Sequence, residues 1–350
     1  MPSSKRSSGV PMAPRTGRRL AFSVLIPAAI GLAGCIGGPD PIATCEPADG
    51  LTPVCGFMNP EDLVRLDADW MLVSEMSQSG PGGRITAFRP ADDTRVKLHF
   101  EGTSFRPHGI DLSRDGTRLA VVDHGEGETI EEFEVSRDAN GVPRLTHLRS
   151  LAIPEEFDAN INDVAYTPSG FVFTKMMSSN QLEGMWGFVT GSDTGQVYTW
   201  SAAGFAPVPH SSGAGPNGVA ASADGRRFYF SEWGRSRIVA IDADGGNRAV
   251  SAELGFSPDN LTWTADGKLL VAGQIASPTE ATACFDIPPH TTCGLGSGVA
   301  RVDPQTLEVE TVLRHQPAMV AGGASVALEH SGRIWIGTFG GDRLAWMPAP

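Results

Sequence analysis

The chain predicts an all-β fold, a six-bladed β-propeller with four-stranded antiparallel blades, and three observations carry that expectation. Six tight-turn dipeptides recur along it: Ala68-Asp69, Asp115-Gly116, Ser169-Gly170, Asp224-Gly225, Asp266-Gly267 and Ser331-Gly332. The intervals between them run from 42 residues (225 to 267) to 65 residues (267 to 332), the length of propeller blades rather than of helical repeats. Stretches with helical periodicity are absent, while 42 glycines and 26 prolines punctuate the chain throughout.

Each unit reads alike. A polar position is followed by a short run such as Val219-Ala220-Ala221-Ser222, then the turn, then a β-rich run such as Arg227-Phe228-Tyr229-Phe230 or Arg333-Ile334-Trp335-Ile336-Gly337. Asp-Gly and Ser-Gly supply the positive φ that hairpin turns need, so each dipeptide closes an antiparallel hairpin. A β-sandwich would place its turns roughly 8–12 residues apart, far closer than they stand here.

Residues 1–34 do not share this pattern. Lys5, Arg6, Arg15, Arg18 and Arg19 precede an apolar stretch from Leu20 to Ala33, too short to span a bilayer and of the form of a secretory signal. It ends in Leu32-Ala33-Gly34-Cys35, which resembles a bacterial lipobox; Cys35 would then be the lipidated first residue and the point of membrane attachment. A plain signal peptide cleaved nearby is the alternative. The expected organisation is therefore a signal over 1–34, a tether over 35–58 and the propeller over 59–350, exported and lipid-anchored to the cell envelope.

Composition narrows the partners. The full chain has a formal charge of −13, and removing five basic residues with the signal takes the exported part to about −18. Nucleic-acid phosphates need a basic face, so nucleic acid is excluded as a partner; divalent cations and small neutral substrates fit. Beyond Cys35, the cysteines at 45, 55, 284 and 293 form an even set suited to an oxidising compartment, with three possible connectivities. The local pairs Cys45 with Cys55 and Cys284 with Cys293 are favoured, since each closes a short loop. Their spacing does not suit zinc.

The candidate site comes from the repeat itself. Eight positions before the second residue of each turn stand Glu61, His108, Asn162, Asn217, Asp259 and Ala324, so five of the six carry ligand or acid-base chemistry. Corresponding loops of successive blades converge near a propeller's axis, which gathers Glu61, Asn162, Asn217 and Asp259, with Asn260 beside the last, around one point. Carboxylate and amide oxygens suit a hard cation such as Ca²⁺. Asp62 and Asp163, one residue further along, point to the other face of the strand or deeper into the channel, where they hold a second cation or serve as ordinary caps and hairpin ion pairs. His108 lies 8 residues before Gly116 and His124 lies 8 after it, so the hairpin returns them to similar height. One imidazole can then orient the other to deprotonate water.

At these residues the chain resembles the paraoxonase/arylesterase group within the gluconolactonase-like, calcium-dependent propeller superfamily. The matching stretches are Glu61-Asp62-Leu63, Pro107-His108-Gly109-Ile110, Val121-Val122-Asp123-His124, Ile161-Asn162-Asp163-Val164, Asn217-Gly218-Val219 and Asp259-Asn260-Leu261. The resemblance implies two calcium ions in the tunnel. Glu61, Asn162, Asn217, Asp259 and Asn260 match the ligands of a catalytic ion; Asp62, Asp163 and the backbone carbonyl of Ile110 match those of a structural one. His108 and His124 match a water-activating dyad, and the implied activity is hydrolysis of lactones and aryl esters. Asp123 departs from the family's usual Asn and would raise the basicity of His124 if its carboxylate lay close. Two alternatives stand beside this reading: a gluconolactonase-type sugar lactonase, and a non-catalytic, calcium-stabilised binding module.

Overall fold

The computed structural model describes residues 39–78, 82–98, 104–318 and 320–350. The expected signal and Cys35 lie outside the described residues. Six four-stranded antiparallel sheets make up the fold. Their first strands are Pro60–Arg65, Pro107–Leu112, Asn160–Thr167, Pro216–Ala221, Ser257–Trp263 and Ala324–His330, and each of these packs against the first strands of the two neighbouring sheets, closing a ring around a tunnel. The propeller expectation is met.

All six turn dipeptides fall in the hairpin between the first and second strands of a blade. Gly116 and Gly225 take φ of 68°, Gly267 takes 81° and Gly332 takes 71°, the left-handed conformation that glycine adopts without steric cost. The preceding Asp closes the turn: Asp115 Oδ1 accepts from the Thr117 amide (3.1 Å) and the Ser113 hydroxyl (2.7 Å), and Asp224 repeats both contacts with Arg226 and Ser222. Ser-x-Asp-Gly is therefore a self-contained turn.

Between blades the core is layered. Leu63, Val73, Phe88, Trp335 and Leu344 pack the seam between the sixth and first sheets, and comparable buried clusters fill the other five seams. Trp335 is buried against Phe88 in an edge-on contact, and truncating such a residue costs about 3–5 kcal/mol.

The segment expected to be a tether over 35–58 does more. Thr52–Cys55 is the outer strand of the sixth sheet, paired antiparallel to Arg343–Pro348 with Cys55 opposite Arg343. Arg343, fully buried, donates to the carbonyls of Thr44 and Ile42, tying the N-terminal segment to the last strand. An N-terminal strand paired with the last strand thus closes the ring. Among the described residues Cys45–Cys55 and Cys284–Cys293 form disulfides, the favoured local pairs.

Two helices were not anticipated. α1 (Gln181–Thr190) leaves the third blade and α2 (Pro278–Thr282) the fifth, the latter opened by a capping box between Ser277 and Glu280. They meet over one mouth of the tunnel. Their Phe188 and Ala281 join Met76, Trp233 and Phe339 in an apolar cluster separate from the blade seams.

Candidate functional site

Every blade carries the same irregularity. The pairing of first and second strands shifts register between Pro60 and Asp62, Pro107 and Ile110, Ile161 and Val164, Pro216 and Val219, Pro258 and Leu261, and Ala324 and Val326. A β-bulge breaks the alternation that would send neighbouring side chains to opposite faces. Each bulge holds the residues singled out by sequence: Glu61, His108, Asn162 with Asp163, Asn217, and Asp259 with Asn260. In the sixth blade the bulge falls on Ser325 rather than Ala324, and its hydroxyl donates to the Glu61 carbonyl at 2.6 Å.

The ring is short of hydrogen bonds. Glu61, Asn162, Asn217, Asp259 and Asn260 are at most 6 % exposed. Asn260 Nδ2 donates to Glu61 Oε1 (2.8 Å), Gln274 Nε2 to Asp259 Oδ2 (2.6 Å), and Asn217 also donates to Asp259. Yet Glu61 Oε2 and the Oδ1 atoms of Asn162, Asn217 and Asn260 are buried without a partner among the described residues. Four orphaned oxygens from four blades are a costly arrangement, and all four have the chemistry of hard-cation donors. Burial, with repulsion from Asp259, Asp62 and Asp163, pushes the Glu61 carboxyl well above its usual range; burial also raises Asp259 to about 7. This donor set fits a Ca²⁺ ion.

The carboxylates one residue further along are satisfied differently. Asp62 accepts from the amides of Leu63 (2.8 Å) and Ile110 (2.7 Å), and Asp163 from those of Val164 (2.7 Å) and Val219 (2.7 Å). Asp111, unsuspected from sequence, accepts from Tyr166 at 2.7 Å. Each carboxylate therefore stitches its blade to the first strand of the next. Ile110 meets Asp62 through its N–H. Burial raises Asp62 to about 8 and Asp111 to about 7, and raises Asp163 with added repulsion from Asp62. What this group lacks is countercharge, not hydrogen bonds. Below it the tunnel widens into a cavity of about 810 Å³ lined by Asp62, Asp111, Asp163, Tyr166 and Trp263, at the mouth opposite the histidines.

His108 and His124 do meet. His108 Nδ1 lies 2.9 Å from His124 Nε2, and His108 Nε2 faces Glu61 Oε1 at 3.6 Å. Burial, then the neighbouring His124 and Arg106, depress the His108 pKa well below its ordinary value, so the imidazole is neutral at physiological pH. Asp123 lies close enough to His124 to interact with it electrostatically, but its Oδ1 accepts from the amides of Arg106 (2.6 Å) and Gly125 (3.1 Å). The carboxylate on His124 is Glu128, whose Oε1 is 2.9 Å from Nδ1.

Two further residues touch the ring, and the first of them escaped sequence reading. Gln274, which holds Asp259, also accepts from Trp233 Nε1 at 2.7 Å and so links the ring to the apolar cluster above it. Its signal was a lone amide inside the apolar run Leu269–Ile275. Met176 is the second link, its sulfur 3.7 Å from Asn162 Nδ2.

The profile of the SMP-30/gluconolactonase/LRE-like region matches residues 81–277, more than half of the chain. No curated protein matches the sequence. Among solved structures, a luciferin-regenerating enzyme is similar over 89% of this chain and 96% of its own, at 14% identity and a TM-score of 0.55. A gluconolactonase from Xanthomonas campestris is similar over 90% and 99%, at 18% identity and a TM-score of 0.52. A Bacteroides thetaiotaomicron protein of unknown function covers 88% and 75%, at 13% identity and a TM-score of 0.54. At these identities the likeness is one of fold. The matched stretch holds both histidines and four of the five ring residues, within six sheets closed about one tunnel, and the chain belongs to the SMP-30/gluconolactonase/LRE-like family.

Proposed function

We propose that the chain is an exported, Ca²⁺-dependent hydrolase of lactones and aryl esters, directed to apolar substrates. The observation that carries this reading is the set of four orphaned, buried oxygens from four blades lying beside a neutral, paired histidine. Glu61, Asn162, Asn217, Asp259 and Asn260 would hold one ion; Asp62 and Asp163 would balance the charge of a second. A calcium ion in the ring would supply Lewis-acid polarisation of a bound carbonyl.

The remaining work belongs to side chains of the protein. His108 takes the proton of the attacking water at Nε2, the nitrogen turned toward the ring. Its depressed pKa keeps the imidazole neutral at neutral pH, and its partner His124 shares the positive charge that develops. The exposed rings of Trp186 and Phe285, beside the buried apolar cluster of Met76, Phe188, Trp233 and Phe339, would offer an acyl or aryl group a contact surface that suits it better than a polyhydroxylated sugar lactone. The two disulfides support an oxidising, exported setting.

A panel of apolar lactones, aryl esters and an aldonolactone, assayed before and after chelation, tests the proposal. Hydrolysis of the apolar lactones, lost on chelation and restored by Ca²⁺, is the expected result. Preference for the aldonolactone replaces the substrate class with sugar lactones. Calcium-dependent folding with no turnover on any member makes the protein a binding module.

A further inference from the structure

We infer that Glu128 is a positioning residue that sets the tautomers of both histidines and leaves the lone pair of His108 Nε2 turned toward the ring. The inference rests on reading His108 as the base. Glu128 sits in the hairpin loop after His124, with its carboxylate oxygens divided between two donors: Oε1 lies 2.9 Å from His124 Nδ1, and Oε2 accepts the amide of Ile161 at 2.9 Å. Its own carbonyl accepts from Ile153 at 2.9 Å, which fixes the backbone beneath it.

An ionised carboxylate only accepts, so whenever His124 carries a single ring proton that proton sits on Nδ1. Its Nε2 then has a lone pair, and at 2.9 Å it accepts a hydrogen bond from the Nδ1–H of His108. With Nδ1 protonated, neutral His108 carries its lone pair on Nε2. Glu61 Oε1, at 3.6 Å, is beyond hydrogen-bond distance and imposes no opposite order. The whole polarity of the relay therefore originates at Glu128. Through Ile161 the same carboxylate holds the strand that presents Asn162, so base and ring share one anchor.

Glu128→Gln separates this role from a merely structural one. Glutamine has one oxygen for two N–H donors. If it keeps Ile161, its NH₂ faces His124 Nδ1 and reverses the chain, placing the proton on His108 Nε2 where the lone pair is needed. The wild-type full-length protein in calcium buffer, ¹⁵N-labelled at histidine, is expected to show His108 and His124 as Nδ1–H tautomers. Glu128→Gln is expected to convert both to Nε2–H and to lower kcat on the order of 10²-fold with KM within about threefold. Glu128→Asp, which keeps the charge, is expected to retain the wild-type tautomers and recover part of the rate.

Wild-type His124 protonated on Nε2, or tautomers unmoved in Glu128→Gln, overturns the inference even if the rate falls. Reversed tautomers with full turnover support the assignment to Glu128 and instead remove His108 as the base.

Discussion

The upper and lower rings of the tunnel are built from consecutive residues of the same strands, yet they reach opposite solutions to one problem. Glu61 and Asn162 stand above; Asp62 and Asp163 follow each by one position. Glu61 Oε2 and Asn162 Oδ1 lack partners among the described residues, whereas Asp62 and Asp163 each receive two backbone amides, one of them from the adjacent blade. The bulges make this possible, since they turn adjacent residues into the same tunnel. Strand amides freed by the bulge are consumed by the lower carboxylates, so nothing remains for the upper ones. Hydrogen bonds knit the blades below, and unsatisfied oxygens remain for chemistry above.

The sharpest way to break this comparison is to exchange the effect of neighbouring residues. Glu61→Gln is expected to reduce lactone turnover by at least ~10³-fold and to abolish most of the rise in Tm on adding Ca²⁺, because a neutral amide replaces the charged donor. Kinetics and thermal melts with and without Ca²⁺ measure both. A variant that retains turnover and the calcium shift would end the assignment of the upper ring.

Asp163→Ala should act in the reverse sense. It strands the amides of Val164 and Val219, at on the order of 1–3 kcal/mol for each buried donor, while turnover of the folded fraction falls less than about tenfold. Urea titration and single-substrate kinetics give the two numbers. Equal stability in the variant would show that the carboxylate does not join the blades.

The smallest expected effect concerns pH. Asp62 is raised from 3.8 to about 8 and Asp111 from 3.8 to about 7, so the folded state binds these protons more tightly than the unfolded chain. Their contribution to stability is complete below about pH 4 and is lost as pH rises toward 8. Chelated protein should therefore lose Tm by a few degrees between pH 5 and pH 8, a loss that Asp62→Asn reduces and Ca²⁺ reverses. An Asp62→Asn variant with an unchanged slope would remove that carboxylate as the cause.

Much of the site was legible because a bulge at constant distance from a turn is a one-dimensional feature. Counting back from the turn dipeptides located Glu61, His108, Asn162, Asn217 and Asp259, and missed only in the sixth blade, where Ser325 lies one residue closer to its turn than the count allows. The pairing of His108 with His124 followed from hairpin geometry alone. Gln274, Asp111 and Glu128 were not legible: the first two matter through contacts with other strands, and Glu128 through a loop whose course spacing does not specify. Asp123, adjacent to His124 in sequence, was the more obvious carboxylate, but it is spent on the amides of Arg106 and Gly125.

By itself, the order of residues determined the repeat, the hairpins, the propeller class and the identity of the oxygen-bearing residues, since each depends on local backbone preference and spacing along one chain. Only the closed structure decided which of those oxygens are satisfied, which carboxylate orients the histidines, and that Thr52–Cys55 completes the last blade. The physical reason is that hydrogen-bond satisfaction and desolvation are properties of a neighbourhood assembled from distant segments. Spacing can bring a donor to the axis; what else competes for it there is settled by the blades that pack around it.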